Sequence, residues 1–406
     1  MGKGKVTGLY GINGLYNYGC EAIVRGTVRL LRLADPEAEI IYFSTRKDED
    51  EKAIKDLGIE VRQINRRHLS IPERGINKIR REMAIPKQIN DEDFAAVLDA
   101  CDTVISIGGD IYTIPGYLRE KKRYTYFNKM IEFGNLAKKK GKKLIIIGAS
   151  IGPFGQFEPA VKYYKDGLSR SDLILAREPD CITYLNSIGI KDNLDLMPDP
   201  AFFVEVSGDA PKTGEYVGIN LSPWSLQESF GSIIDEALKE RASLITGIMD
   251  KTGMPVMLIP HVLAYKEDDN DHSHMLKLLE HMDEEHKARV KLVKPESFID
   301  AKRYIRQCRF VIASRMHCAV NSICEGVPAL LLSYSRKAVG MSEFVYGNGE
   351  WVLPVYSAND EIIAKAMLMN GQAEDLSKSL SDKVAEVREK ITSEESFMRF
   401  RKELLG

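Results

Sequence analysis

The chain has 406 residues, 44% of them hydrophobic, with 57 basic against 59 acidic side chains and a formal net charge of −2. At about 100–200 residues per domain it can build two or three cores. So even a charge balance excludes a dedicated nucleic-acid coater, which needs a basic excess, and 29% charged residues beside plentiful Ile, Leu, Val and Tyr exclude a disordered chain.

No apolar run approaches the ~18 residues that span a bilayer. Residues 1–14 hold no apolar core of signal-peptide length, and Val6 breaks the myristoylation pattern. Six scattered cysteines without a C-x-x-C pair read as reduced thiols, which points to a cytoplasmic protein with neither a zinc site nor a disulfide framework.

In chain order, the first half predicts strands at 5–10, 39–44, 60–64, 103–107, 143–148 and 173–176. Between them lie predicted helices at 21–34, 48–57, 91–100, 124–140, 158–169 and 180–187. Several strands are continuous apolar runs, LIIIG among them, as strands buried on both faces of a parallel sheet are. The second half repeats the scheme. It predicts strands at 216–220, 255–259, 290–293, 310–314 and 329–333, and helices at 233–252, 272–282, 298–307 and 317–325. Residues 376–405 read as one or two long helices that can pack back across the first half.

The expected architecture is therefore α/β, two Rossmann-like domains facing a cleft. The expected boundaries are 1–205 for the N-terminal domain, 213–375 for the C-terminal domain and 376–406 for the helical tail. The break falls at 205–215, where VSGDAPKTGE carries turn residues and no apolar period. Residues 62–88 carry eight Lys or Arg against two Glu, and residues 119–143 carry ten against two. Such runs are either solvated faces or attraction sites for an anionic lipid carrier or the inner membrane surface.

Ligands of doubly wound sheets bind beyond the carboxyl ends of the strands. The first such loop, GINGLYNYGCEAI, offers Gly11, Gly14 and Gly19 for a tight path, and Glu21 opens a helix whose N–H groups can face a ligand. It is not G-x-G-x-x-G, which argues against a dinucleotide. The next loop offers Gly108 and Gly109 for close backbone approach and Asp110 as a hydroxyl acceptor or base, or as a helix cap. Arg177 and Glu178 stand at another strand end, where Arg177 binds an anion or merely pairs with an acid.

In the second half VMLIPH ends in His261, and EDDNDHSH offers metal-ligand types. His272 and His274, two apart, do not share a helix face, and the acids also suit a helix start, so no metal is expected. The strongest cluster follows the strand that ends at Ser314. Arg315 and His317 stand where the next helix begins, so that a guanidinium fork, free N–H groups and an imidazole meet an anion, unless the two side chains form structural pairs. No nucleophile elbow, Walker A loop, H-E-x-x-H or kinase signature is present.

Taken together, NYGCEAI, VISIGGD, IGASIGPF, AREPDCITYL, PDPAF, IPH, SRMHCAVNSICEGVPALLL and SYSRK resemble the polysaccharide pyruvyl transferase family, in order from 17 to 337. The resemblance implies a fold like that of GT-B glycosyltransferases, with an acceptor-side N-terminal domain and a donor-side C-terminal one. It implies phosphoenolpyruvate as donor, no cofactor, and a saccharide or lipid-linked oligosaccharide as acceptor, which becomes a pyruvate ketal of a surface glycan.

By motif position Arg315 and His317 look like the family's donor-binding pair, Arg177 a further anion ligand and Asp110 an acid or acceptor ligand. Ser314, Asn17, Gly19, Glu21, Gly108, Gly109, His261 and Lys337 fill the expected substrate-binding set. Cys20 stands where family members often carry Asp, and a thiol does not accept hydroxyl hydrogen bonds as a carboxylate does. The expected catalytic residues are His317, Asp110 and Arg315. The alternatives are a nucleotide-sugar glycosyltransferase on the same fold, against which stands Ser333 where a second Glu would follow Glu325, and a non-catalytic glycan-binding relative.

Overall fold

Strands made of unbroken Ile, Leu and Val have no face to give to water, so they must lie between two helical layers. Ile145, Ile146 and Ile147 are at most 1% exposed. The computed structural model describes residues 5–12, 14–206, 212–231, 235–333 and 337–406. The chain divides into two units, the first made of Met1–Gly14, Ile23–Pro200 and Ile391–Gly406, the second of Leu15–Ala22 and Ala201–Lys390.

The first unit holds β1 (Val6–Tyr10), β2 (Glu39–Ser44), β3 (Glu60–Gln63), β4 (Thr103–Ile107), β5 (Lys143–Ile147), β6 (Leu173–Ala176) and β7 (Leu194–Leu196). They form one parallel sheet in the order β3-β2-β1-β4-β5-β6-β7. Order reverses between β1 and β4, whose neighbours include Leu9 and Ile105. Tyr10, Phe94 and Phe133 pack one face of its core, with Tyr10 and Phe133 ring centroids 4.2 Å apart.

The second unit holds β8 (Tyr216–Asn220), β9 (Val256–Leu258), β10 (Val290–Leu292), β11 (Cys308–Ala313), β12 (Ala329–Ser333) and β13 (Val352–Pro354). Its parallel sheet runs β10-β9-β8-β11-β12-β13, and order reverses between β8 and β11, in register Asn220 to Ala313.

The long helical tail is two helices, Ala373–Lys390 and Glu395–Leu405. The second belongs to the first unit. It buries Phe397, Phe400 and Leu404 there, and Arg401 donates to Ala34 O at 3.2 Å.

Two predicted helices start later than expected because an Asx side chain caps them. Asn128 accepts from Met130 N in the Lys129–Lys139 helix and Asp93 from Ala96 N in the Phe94–Asp99 helix, each satisfying a donor that the first turn leaves open. β7 and β13, three residues each at a sheet edge, were not predicted. The helices Ile71–Glu82, Pro223–Phe230, Lys337–Tyr346 and Asn359–Gly371 were not predicted either. The expected start of the 233–252 helix and part of the 205–215 break lie outside the described residues.

Candidate functional site

In the second unit the two strands at the reversal point end in polar residues, which is where a doubly wound sheet opens to a ligand. Asn220, the last residue of β8, donates Nδ2 to Ile259 O at 2.9 Å and to Asp271 Oδ2 at 3.2 Å, and accepts from Arg315 N at 3.0 Å. Asp271 is fully buried. Its Oδ2 also accepts from His261 N at 3.0 Å and Val262 N at 3.1 Å. Its Oδ1 accepts from Arg315 Nε at 3.1 Å and Nη2 at 2.8 Å, and Nη2 also reaches Asp269 at 2.7 Å.

Arg315 is therefore not the free guanidinium that the sequence suggested. Two carboxylates offset its charge and fix its plane, and Nη1 alone of its donors has no acceptor among the described residues. Arg315 is also the N-cap of the Met316–Cys324 helix and offers no side-chain cap. Met316 N–H, at the first helical position, has no acceptor within the helix. Partial positive charge collects at such a start.

His317, half-buried in that first turn, lies against Gly19. A Cβ added at Gly19 would sit 2.5 Å from His317 Nδ1, 2.7 Å from Cγ and 2.9 Å from its Cβ. Glycine at 19 is thus what lets the imidazole stand where it does.

The other expected residues of this unit have structural tasks. Asn17 caps the Tyr18–Ala34 helix through Gly19 N at 3.0 Å. Glu21 is fully buried and accepts from Phe298 N at 2.7 Å, at the start of another helix. Ser314 accepts from Ser222 N at 2.9 Å. His261, expected to bind substrate, is 1% exposed, lies edge-on to Tyr18 and meets Asn321 through Nε2 at 3.1 Å. Burial, reinforced by His317, Arg315 and Lys302, pushes its pKa down to about 3, so it stays neutral and cannot share a proton near pH 7.

Glu325 of the E-G-V-P segment is also buried. It holds Lys302 Nζ at 2.8 Å, an assignment that takes it away from any donor. Lys337 begins its helix half-exposed, whereas 334–336 of the SYSRK segment lie outside the described residues.

In the first unit the expected residues also converge. Arg177 donates Nη1 to Asp199 at 2.7 Å and Nη2 to Ser150 Oγ at 2.9 Å, with Glu178 at 3.4 Å and Asp110 at 3.8 Å. Its side chain is 7% exposed. Of the two readings the sequence left open, an anion ligand or a partner of an acid, the structure shows the second, with three carboxylates around the guanidinium. Asp110 remains exposed beside Gly109, whose carbonyl accepts from Ser150 N at 2.9 Å, while Gly108 turns the chain at φ +153°.

Asn220, Asp271 and Asp199 escaped the sequence reading. A strand-final Asn and an acid in a helix start look like ordinary caps until the sheet order brings them together. Among the described residues no group of three or more His, Cys, Asp or Glu side chains converges as metal ligands do.

Residues 17–336 match the sequence profile of polysaccharide pyruvyl transferase, a span that covers every residue of the β8–β11 cluster. The amylovoran biosynthesis protein AmsJ of Erwinia amylovora is 24% identical over 93% of this chain and 96% of its own. Among solved structures, Anabaena Alr3699/HepE in complex with UDP-glucose superposes with a TM-score of 0.58 at 11% identity, covering 98% of both chains. The putative UDP-N-acetylglucosamine 2-epimerase of Listeria monocytogenes gives 0.56 at 13% identity over 95% of this chain and 91% of its own. Sucrose-phosphate synthase of Thermosynechococcus elongatus gives 0.55 at 11%, covering 94% of each. At these identities the likeness is one of fold: two Rossmann-like units of the GT-B kind.

Proposed function

The chain belongs to the polysaccharide pyruvyl transferase family, and we propose that it moves the enolpyruvyl group of phosphoenolpyruvate onto two hydroxyls of one sugar. The sugar lies in a surface polysaccharide or its lipid-linked precursor, and the products are a pyruvate ketal and phosphate. The observation that carries this reading is the end of β11. An anchored guanidinium whose Nη1 has no acceptor among the described residues, a helix start and a half-buried imidazole stand within three consecutive residues, Arg315, Met316 and His317, inside the span that matches the family. A three-carbon polyanion needs such a compact set of donors; a nucleoside would leave it largely unused.

Arg315 Nη1 and Met316 N–H bind the donor's carboxylate or phosphate, and Asp269 and Asp271 keep the guanidinium in plane. An acid, with His317 as first candidate, delivers a proton to the methylene carbon, and C2 gains oxocarbenium character. The first sugar hydroxyl adds to C2 and loses its proton to a general base. The second hydroxyl then displaces phosphate from C2 and closes the ketal, its proton leaving with the base or the phosphate.

The test is a donor comparison on a panel of hexose-bearing oligosaccharides. Phosphate release from phosphoenolpyruvate, with a product heavier by one pyruvate less one water, is expected. Nucleotide release from nucleotide sugars would transfer the chain to the glycosyltransferases, and saccharide binding with both donors untouched would make it a glycan-binding relative.

Gly19→Ala carries the second expectation. Its methyl would meet the His317 ring and Cβ together, so the imidazole cannot swing aside cheaply. A displacement on the order of 1 Å costs roughly 10²-fold in turnover. Steady-state rates should show that loss in kcat, and a variant with unchanged kcat would remove His317 from the chemistry.

A further inference from the structure

An amphipathic helix on a globular protein normally turns its apolar stripe inward. The Ile71–Glu82 helix does the reverse. At ~100° per residue, Ile71, Gly75, Ile76, Ile79 and Met83 fall in one arc of roughly 140°, with Glu82 at the last turn the one acid within it. Ile71 is 78% exposed, Ile76 41%, Ile79 57% and Met83 55%.

What the helix buries is polar. Asn77 is its one buried residue, clamped to Ile89 by bonds of 2.9 Å to the carbonyl and 2.8 Å from the amide. A Ser70–Glu73 capping box fixes its start. Its end is tied to the second basic run, where Arg123 Nη2 donates to Met83 O at 2.5 Å and Thr125 Oγ1 to Arg81 O at 2.9 Å. The helix is thus tied down through its polar side and its end, with its greasy side outward.

Charge indicates what covers that side. Arg74, Lys78, Arg80 and Arg81 flank the stripe, and none pairs with a carboxylate among the described residues; nor do Lys121 and Lys122 of the adjoining run. A protein partner of ordinary surface or a second copy of this basic face would bury these cations without compensation. An anionic bilayer matches both features, since isoleucines enter the acyl boundary while guanidinium and ammonium groups meet phosphates at its rim.

The geometry points to the Ile71–Met83 face as a docking surface for an anionic phospholipid membrane, on which the first unit lies without crossing it. The inference does not depend on the donor chemistry proposed above.

Vesicle sedimentation without donor or acceptor tests it. The intact chain is mixed with vesicles containing phosphatidylglycerol and, separately, with phosphatidylcholine alone. Binding is expected to the former only, and to weaken as salt rises. Ile76→Asp with Ile79→Asp, and Arg74→Glu with Lys78→Glu, should each weaken binding by roughly tenfold or more. All four side chains face solvent, so melting temperatures should hold. The inference is overturned if the intact chain ignores the anionic vesicles, if either pair of substitutions leaves binding unchanged, or if the isoleucine pair instead splits a dimer seen in analytical ultracentrifugation while vesicles go unbound.

Discussion

His317→Ala is expected to lower phosphoenolpyruvate turnover by about 10²–10⁴-fold, the range for losing a positioned acid or base, with the fold retained. The side chain stands in the first turn of the Met316–Cys324 helix and is half-buried, so its removal vacates space against Gly19 without opening the sheet core. Truncation alone does not separate binding from proton transfer. His317→Gln does, because an amide hydrogen-bonds an anion but does not cycle a proton near neutral pH. Donor affinity by calorimetry should therefore recover in the Gln variant while turnover stays low. Near-full turnover in the Ala variant would refute the role. Equal recovery of both quantities in the Gln variant would reduce His317 to a donor-binding group.

The neighbouring residues explain how far the sequence could be read. The strand ends were legible because parallel strands announce themselves as apolar runs and ligand loops follow them, and so Ser314, Arg315, His317, Gly108 and Asp110 could be picked out one by one. What each side chain faces was not legible. The partners of Arg315 come from residues 269 and 271, and Arg177 meets not only its neighbour Glu178, a pairing open to a local reading, but also Asp110 and Asp199. No local pattern joins segments that far apart; the crossovers of the sheet do.

For the same reason Glu21 and His261 looked like ligand residues, although burial assigns one to a helix start and the other to packing under Tyr18. The Ile71–Glu82 helix went unrecognised because its apolar residues answer to solvent instead of the core, and the basic run that hides it in the sequence is the feature that gives it a use.

Asp271→Ala should produce the largest loss of stability in the second unit, about 3–5 kcal/mol, the cost of breaking one side of a buried ion pair. Five donors lose a bond at once, His261 N, Val262 N, Asn220 Nδ2, and Arg315 Nε and Nη2, although Asn220 Nδ2 keeps Ile259 O. For a unit of this size that corresponds to a fall in melting temperature on the order of 10 °C. Asp269 keeps its bond to Nη2, so the guanidinium retains one partner and the loss should stay below that of a wholly orphaned charge.

The double variant Asp271→Ala with Arg315→Met decides how the cost divides. If the uncompensated guanidinium is the main term, the double variant should regain on the order of 2 kcal/mol over Asp271→Ala by calorimetry. If the backbone amides of 261 and 262 dominate, it should regain almost nothing, because their acceptor is still missing. A single-variant cost below about 1 kcal/mol, the range of an ordinary exposed pair, would mean that Asp271 does not organise the end of the sheet, and the fixed orientation of Arg315 would lose its physical cause.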